Sequence, residues 1–139
     1  MAGTLKVIPY QGISAVAFGP LSDYRPLVGD DFGDLAIRTG IQTCRPGYET
    51  KLHWHPYVEI LHILEGTAEA WQRGSEDSMV TLRAGDTIVI AARTWHSFRV
   101  AGEETLKVLG THVSGQRIVH YEDGTTSFGG RPPTALAKE

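Results

Sequence analysis

Glycine and proline punctuate this chain so densely that long helices have little room: its 139 residues include 16 Gly and 7 Pro, spread along the length. Gly reaches turn conformations closed to other residues and Pro removes a backbone donor, so both interrupt regular structure. The stretches between the breaks are rich in β-branched residues, at 13–18, 35–43, 58–64, 79–82, 87–90, 97–100, 106–113 and 117–121. Branching at Cβ suits a pleated strand better than a helix. Many short strands predict an all-β sandwich or barrel. Turns are expected at Glu65-Gly66-Thr67 and around Arg73-Gly74-Ser75-Glu76-Asp77, each joining antiparallel neighbours.

A chain of this length fits a single domain. The expected organisation is residues 1–34 as N-terminal strands and an acidic loop packing on a barrel, 35–121 as the barrel core and 122–139 as a C-terminal tail. Within the first part, 22–34 carries Asp23, Asp30, Asp31 and Asp34 with Pro26, Gly29 and Gly33, and reads as an exposed loop. The tail from Gly129, with Pro132-Pro133, is expected to lie loosely on the surface.

The net charge is −3, from 13 basic and 16 acidic side chains. A nucleic-acid binder would carry a basic surplus, so no nucleic-acid partner is expected. The longest apolar run, 88–92, is far too short to span a bilayer, and residues 1–9 lack an apolar leader. No membrane partner and a cytoplasmic location are the expectation. Cys44 is the single cysteine, which excludes an internal disulfide and any cysteine-rich zinc module. Metal binding would fall to His and carboxylate.

Three of the six histidines, His53, His55 and His96, combine with Glu59 into such a donor set. Imidazole nitrogens and one carboxylate oxygen suit a divalent transition ion, Fe, Mn, Ni, Cu or Zn, and a six-coordinate ion keeps two positions open for substrate or dioxygen. The local structure admits two readings. On a helix, His55, Glu59 and His62 fall at i, i+4 and i+7 on one face. On a strand, His53, His55 and Glu59 share a face and His62 points away. Pro56 holds His55 extended, and Val58, Ile60 and Ile63 favour the strand, with a bulge or edge at Pro56. Glu59 on an otherwise apolar face is costly to bury as an anion unless a cation stabilises it.

Gly47, five residues, His53, one residue, His55, three residues, Glu59, six residues and Gly66 resemble in full the first motif of the cupin superfamily. Gly85, five residues and Ala91-Ala92-Arg93-Thr94-Trp95-His96, running on to Val100, resemble the second. There Ala91, Arg93 and Val100 stand where Pro, Gly and Asn are usual, so the turn before His96 need not take the family conformation. The resemblance implies a small single-domain antiparallel jelly-roll barrel with one divalent metal inside, held by His53, His55, Glu59 and His96.

Around these motifs, Arg38 and Gln42 share one strand face opposite Leu35, Ile37, Thr39 and Ile41. Either would orient a substrate carboxylate if that face lined the cavity, although solvent exposure is the default. Arg93 is expected near the mouth. Tyr57 and Phe98, with Trp54, Trp71 and Trp95, are candidate walls. His62 and Cys44 are read first as structural, and His112 and His120 as groups around the ligands or on the surface. The resulting expectation is a metal-dependent enzyme acting on a small organic molecule, an oxygenase first, a lyase or isomerase second, and a non-enzymatic binding protein third. A homodimer through the apolar Val58, Ile60 and Leu64 face is expected as well.

Overall fold

The computed structural model describes Gly3 and residues 5–29 and 35–128. Asp30, Asp31, Asp34 and the tail from Gly129 lie outside the described residues. The strands, in chain order, are β1 Val16–Ala17, β2 Ser22–Val28, β3 Arg38–Cys44, β4 His53–Trp54, β5 Glu59–Glu65, β6 Thr67–Gln72, β7 Val80–Arg83, β8 Thr87–Ile90, β9 His96–Val100, β10 Leu106–His112, β11 Ile118–Tyr121 and β12 Thr126–Phe128. They form two six-stranded antiparallel sheets, ordered β1-β2-β3-β10-β5-β8 and β12-β11-β4-β9-β6-β7. This is the expected jelly-roll architecture. No helix among the described residues is long and apolar enough to cross a membrane.

Two local expectations are corrected. Residues 22–28 form β2, pairing with β3 from Ser22↔Cys44 to Val28↔Thr39 with a register shift between Pro26 and Val28. Asp23 and Pro26 masked the strand signal, because a proline is tolerated where pairing is locally disrupted. The Glu65-Gly66-Thr67 turn joins β5 to β6, which belong to different sheets and do not pair. Gly66 adopts φ 81°, and a Cβ there would lie 2.5 Å from the carbonyl oxygen of Thr105, so the tight corner between sheets requires glycine. The second turn does close a hairpin, between β6 and β7.

Inward positions change character along the strands that meet between the sheets. On β5 they run Glu59, Leu61, Ile63; on β9, His96, Phe98, Val100; on the oppositely directed β10, Leu106, Val108, Gly110, His112. One end of the interior is therefore a packed apolar core of Leu61, Ile63, Ala68, Ala70, Phe98, Val100, Leu106 and Val108, and the other collects polar side chains. On β3 the polar face turns inward: Arg38 is only 2% exposed, whereas Ile37 is 40% exposed. The solvent-exposed fate expected for Arg38 is thus reversed, because this strand runs beside the polar end.

Candidate metal centre

Two cross-strand pairs face one another across the polar end. In one sheet His53 stands opposite His96, and in the other Glu59 stands opposite His112. Residues 55–58 carry the chain between sheets, so His53 and Glu59 occupy different strands, and the single-strand and helical readings both give way. Pro56 fits the crossing, since it lacks a ladder donor and keeps His55 extended. The crossing is held at both ends: Arg93 N–H donates to the His55 carbonyl at 2.8 Å and Val113 N–H to the Val58 carbonyl at 3.0 Å. Upstream, Thr50 N–H donates to the Phe98 carbonyl at 2.9 Å, its hydroxyl accepts from Phe98 N–H at 3.1 Å and lies 2.8 Å from that of Ser97, which seats His53 beside β9.

His53, His55, Glu59 and His96 are all buried and offer one ligand atom each within 4.8 Å of the others. Bonds of about 2.1 Å to one ion would set neighbouring donors about 3.0 Å apart and opposite donors about 4.2 Å apart, so this spacing suits a single small ion. Each imidazole Nδ1 faces a backbone carbonyl: His53 to Lys51 at 2.6 Å, His55 to Ile118 at 2.7 Å and His96 to Thr94 at 2.8 Å. Donation from Nδ1–H leaves a bare Nε2 lone pair on a neutral ring. Those of His96 and His55 lie 3.0 and 3.2 Å from Glu59 Oε1. The His55 Nε2 is buried without a hydrogen-bond partner. Acceptors converging at this range repel unless a cation or a proton lies between them, so the donor set fits a divalent metal.

His112, read from the sequence as either a group around the ligands or a surface residue, completes the arrangement. His112 Nε2 lies 3.0 Å from Glu59 Oε2, and its Nδ1 lies 2.7 Å from the Tyr57 hydroxyl. Tyr57 accepts from Ile118 N–H at 3.1 Å and keeps its own proton, burial pushing its pKa up to about 12. With Tyr57 O–H donating to Nδ1 at 2.7 Å in preference to the Ile118 carbonyl at 3.2 Å, the His112 proton falls on Nε2, where it holds one oxygen of Glu59 and leaves the other for the centre. Burial lowers the His112 pKa despite Glu59, in keeping with a neutral ring.

The other ionisation shifts follow from the same crowding. Burial, with His96 and His55 alongside, holds His53 well below its usual range. Burial alone would raise Glu59, but His55 and His112 outweigh it and keep the carboxyl ionised. Burial likewise opposes charge on His96, yet Glu59 raises its pKa.

The centre borders a cavity of about 60 Å³, walled by Phe18, Tyr24, Tyr48 and Phe98, with Gln42 and Arg117 among its polar lining. A larger cavity of about 480 Å³ shares Leu61 and Phe98 and is lined by Trp71 and His96. Gln42 and Phe98 thus reach the first cavity, Tyr57 lies buried behind His112, and Arg38 is buried against Gly29. Arg93 is exposed and lines neither cavity. Its φ of 63° shows that the turn before His96 keeps a glycine-like backbone without glycine. Trp54 and Trp95 pack edge-to-face on each other. His62 faces outward to Thr87 at 2.8 Å, and His120 stacks on Trp54. Cys44 is fully buried and its thiol pKa is pushed up to about 12 by burial, which makes it inert. Phe18, Tyr24 and Arg117 escaped the sequence reading because none lies near the motifs, and Tyr48 escaped it although it directly follows Gly47.

Among solved structures, a polyketide cyclase from Streptomyces resistomycificus superposes with a TM-score of 0.67 at 17% identity, covering 78% of this chain and 79% of its own. A cupin-like protein from Thermotoga maritima gives 0.62 at 22% identity, over 84% and 82%. Oxalate decarboxylase from Lactobacillus farciminis gives 0.65 at 22% identity over 76% of this chain, but only 32% of the decarboxylase is covered. These likenesses concern the fold. No curated protein matches the sequence. The family model described as "Cupin domain" matches residues 40–112, which takes in Glu59, His96 and the strands that pair around them, and the chain belongs to that family.

Proposed function

We propose that the chain is a metal-dependent enzyme acting on a small organic molecule, with oxygenation as its chemistry. The observation that carries this reading is the convergence on one buried carboxylate of three buried imidazoles, each with its Nδ1 against a backbone carbonyl. His53, His55, Glu59 and His96 would hold one divalent ion, Fe, Mn, Ni, Cu or Zn. Such an ion supplies Lewis-acid polarisation and, for a redox-active metal, electron transfer. The chain's own residues do the rest. Backbone carbonyls fix the three rings, His112 orients Glu59, and the aromatic walls exclude bulk water. A cavity of about 60 Å³ equals roughly four to six water-sized spaces, so the reacting part of the substrate is small.

A second reading, a metal-assisted lyase or isomerase, draws on the hydrogen bond between His112 and Tyr57, which gives a cavity-lining imidazole a buried proton partner. The cyclase and the decarboxylase among the structural neighbours are compatible with it. Elemental analysis of freshly purified protein, followed by oxygen uptake with a panel of small carbonyl and phenolic acids, separates the readings. Metal with oxygen consumption supports the first; metal with turnover but no oxygen uptake supports the second; metal without turnover supports a binding protein. Loss of metal from His53→Ala and His96→Ala, but not from His62→Ala, is expected, and a metal-free wild type would refute the centre itself. The outward face of β5 and β8, with Leu64 39% and Val89 66% exposed, supports a homodimer. A monomeric mass by light scattering at micromolar concentration would remove it.

A further inference from the structure

Arg117 directly precedes β11, whose first residue, Ile118, accepts from His55 and donates to Tyr57. Its side chain is only 8% exposed and lines the same cavity as His53, His55 and Glu59, three of the four candidate ligands. The guanidinium carbon lies 5.6 Å from the Phe18 ring centroid, and Nη1 is buried without a hydrogen-bond partner. A buried cation of this kind is costly unless an anion meets it.

Among the described residues lining the cavity, the one carboxylate is Glu59, and it is already engaged. Oε1 faces His55 and His96, and Oε2 faces His112. With neutral imidazoles, Glu59 offsets only half of a divalent charge. The cavity then keeps a positive metal end and a positive guanidinium among its lining. An uncharged substrate leaves both uncompensated, whereas a carboxylate matches the planar fork of an arginine.

We propose that Arg117 is the specificity-determining residue of this cavity, receiving the carboxylate of a small organic acid whose other polar end reaches the metal centre. The inference rests on the metal-centre reading and names the substrate class for it. It also reassigns the carboxylate-orienting part expected of Arg38 or Gln42.

The test is calorimetric titration of Co(II)-loaded protein with acetate, glycolate and benzoate, each against its amide, acetamide, glycolamide and benzamide. At least one acid is expected to bind the wild type well above its amide. Arg117→Gln is expected to weaken that acid by at least about 30-fold while its cobalt content, read by elemental analysis, stays at the wild-type level. Arg117→Lys, which keeps the charge without the fork, should fall between the two. Thermal melting gives a readout that does not depend on the metal: removing a buried cation that no carboxylate meets among the described residues should raise the Tm of ligand-free Arg117→Gln, and the acid should raise the Tm of wild type only. Equal binding of acids and amides, or undiminished acid binding by the variant, overturns the proposal. Wild-type protein that takes up no cobalt would instead sink the metal-centre reading.

Discussion

His112→Phe probes the part of the centre that carries no metal bond in this arrangement. The substitution keeps a flat ring between β5 and β3 but removes the Nε2–H that holds Glu59 Oε2 at 3.0 Å. Hydrogen bonds to charged groups contribute about 1.5–3 kcal/mol, and a buried carboxylate oxygen left without its donor bears a desolvation penalty of similar size. The metal-free variant should therefore lose roughly 1.5–3 kcal/mol, a fall of roughly 6–12 °C in Tm for a domain of this size. Glu59 would also lose its orientation, and groups that fix metal ligands are worth about 10–100-fold in metal affinity. The assay is competitive Co(II) or Zn(II) titration against a chromophoric chelator, with thermal melting of the metal-free protein alongside. The expected result is full stoichiometry with affinity weakened by about 10–100-fold. Unchanged affinity would refute the orienting part given to His112. Loss of stoichiometric binding, as expected of His96→Ala, would mean instead that His112 is itself a ligand.

Arg93 sits at φ 63°, where a non-glycine residue is strained by about 1–2 kcal/mol, so Arg93→Gly should raise stability by about 1 kcal/mol after its greater unfolded-state freedom is counted, with metal content unchanged; a lower Tm would refute this. Gly66→Ala combines a left-handed backbone with a Cβ 2.5 Å from the Thr105 oxygen and should cost about 2–5 kcal/mol in chemical denaturation, whereas a near-neutral effect would show that the corner can relax. Metal affinity should fall with falling pH through the pKa of His96, which Glu59 raises against burial, because the ligating ring must give up its proton; equilibrium dialysis giving a flat profile between pH 5.5 and 8.5 would contradict it. The sign reverses for the metal-free protein. There, the His96 contribution to stability is fully present below the unfolded value and is lost as pH rises through the raised folded one.

Strand content and the identity of the donor residues were legible locally. Gly and Pro breaks around β-branched stretches marked β8 to the residue and β3, β5, β7, β9, β10 and β11 to within three residues at either end, because turn chemistry and branching act over a few positions. The family resemblance carried by Gly47 to Gly66 likewise pointed to His53, His55 and Glu59 as members of the cluster. How those side chains come together was not local information. Parity placed His53 and Glu59 on one face of one strand, but the chain changes sheets between them, and parity has no meaning across such a crossing. Hydrophobic patterning turned β3 the wrong way round, since it cannot anticipate an interior that is polar at one end. Asp23 and Pro26 concealed β2, whose pairing with β3 supplies what its own residues lack. His112 meets Glu59 across 53 residues, and Arg117, just ahead of β11, lines the same cavity. Register between distant strands, and the facing of one sheet on the other, are settled by packing the whole chain at once; only that packing brings these groups within reach of the centre.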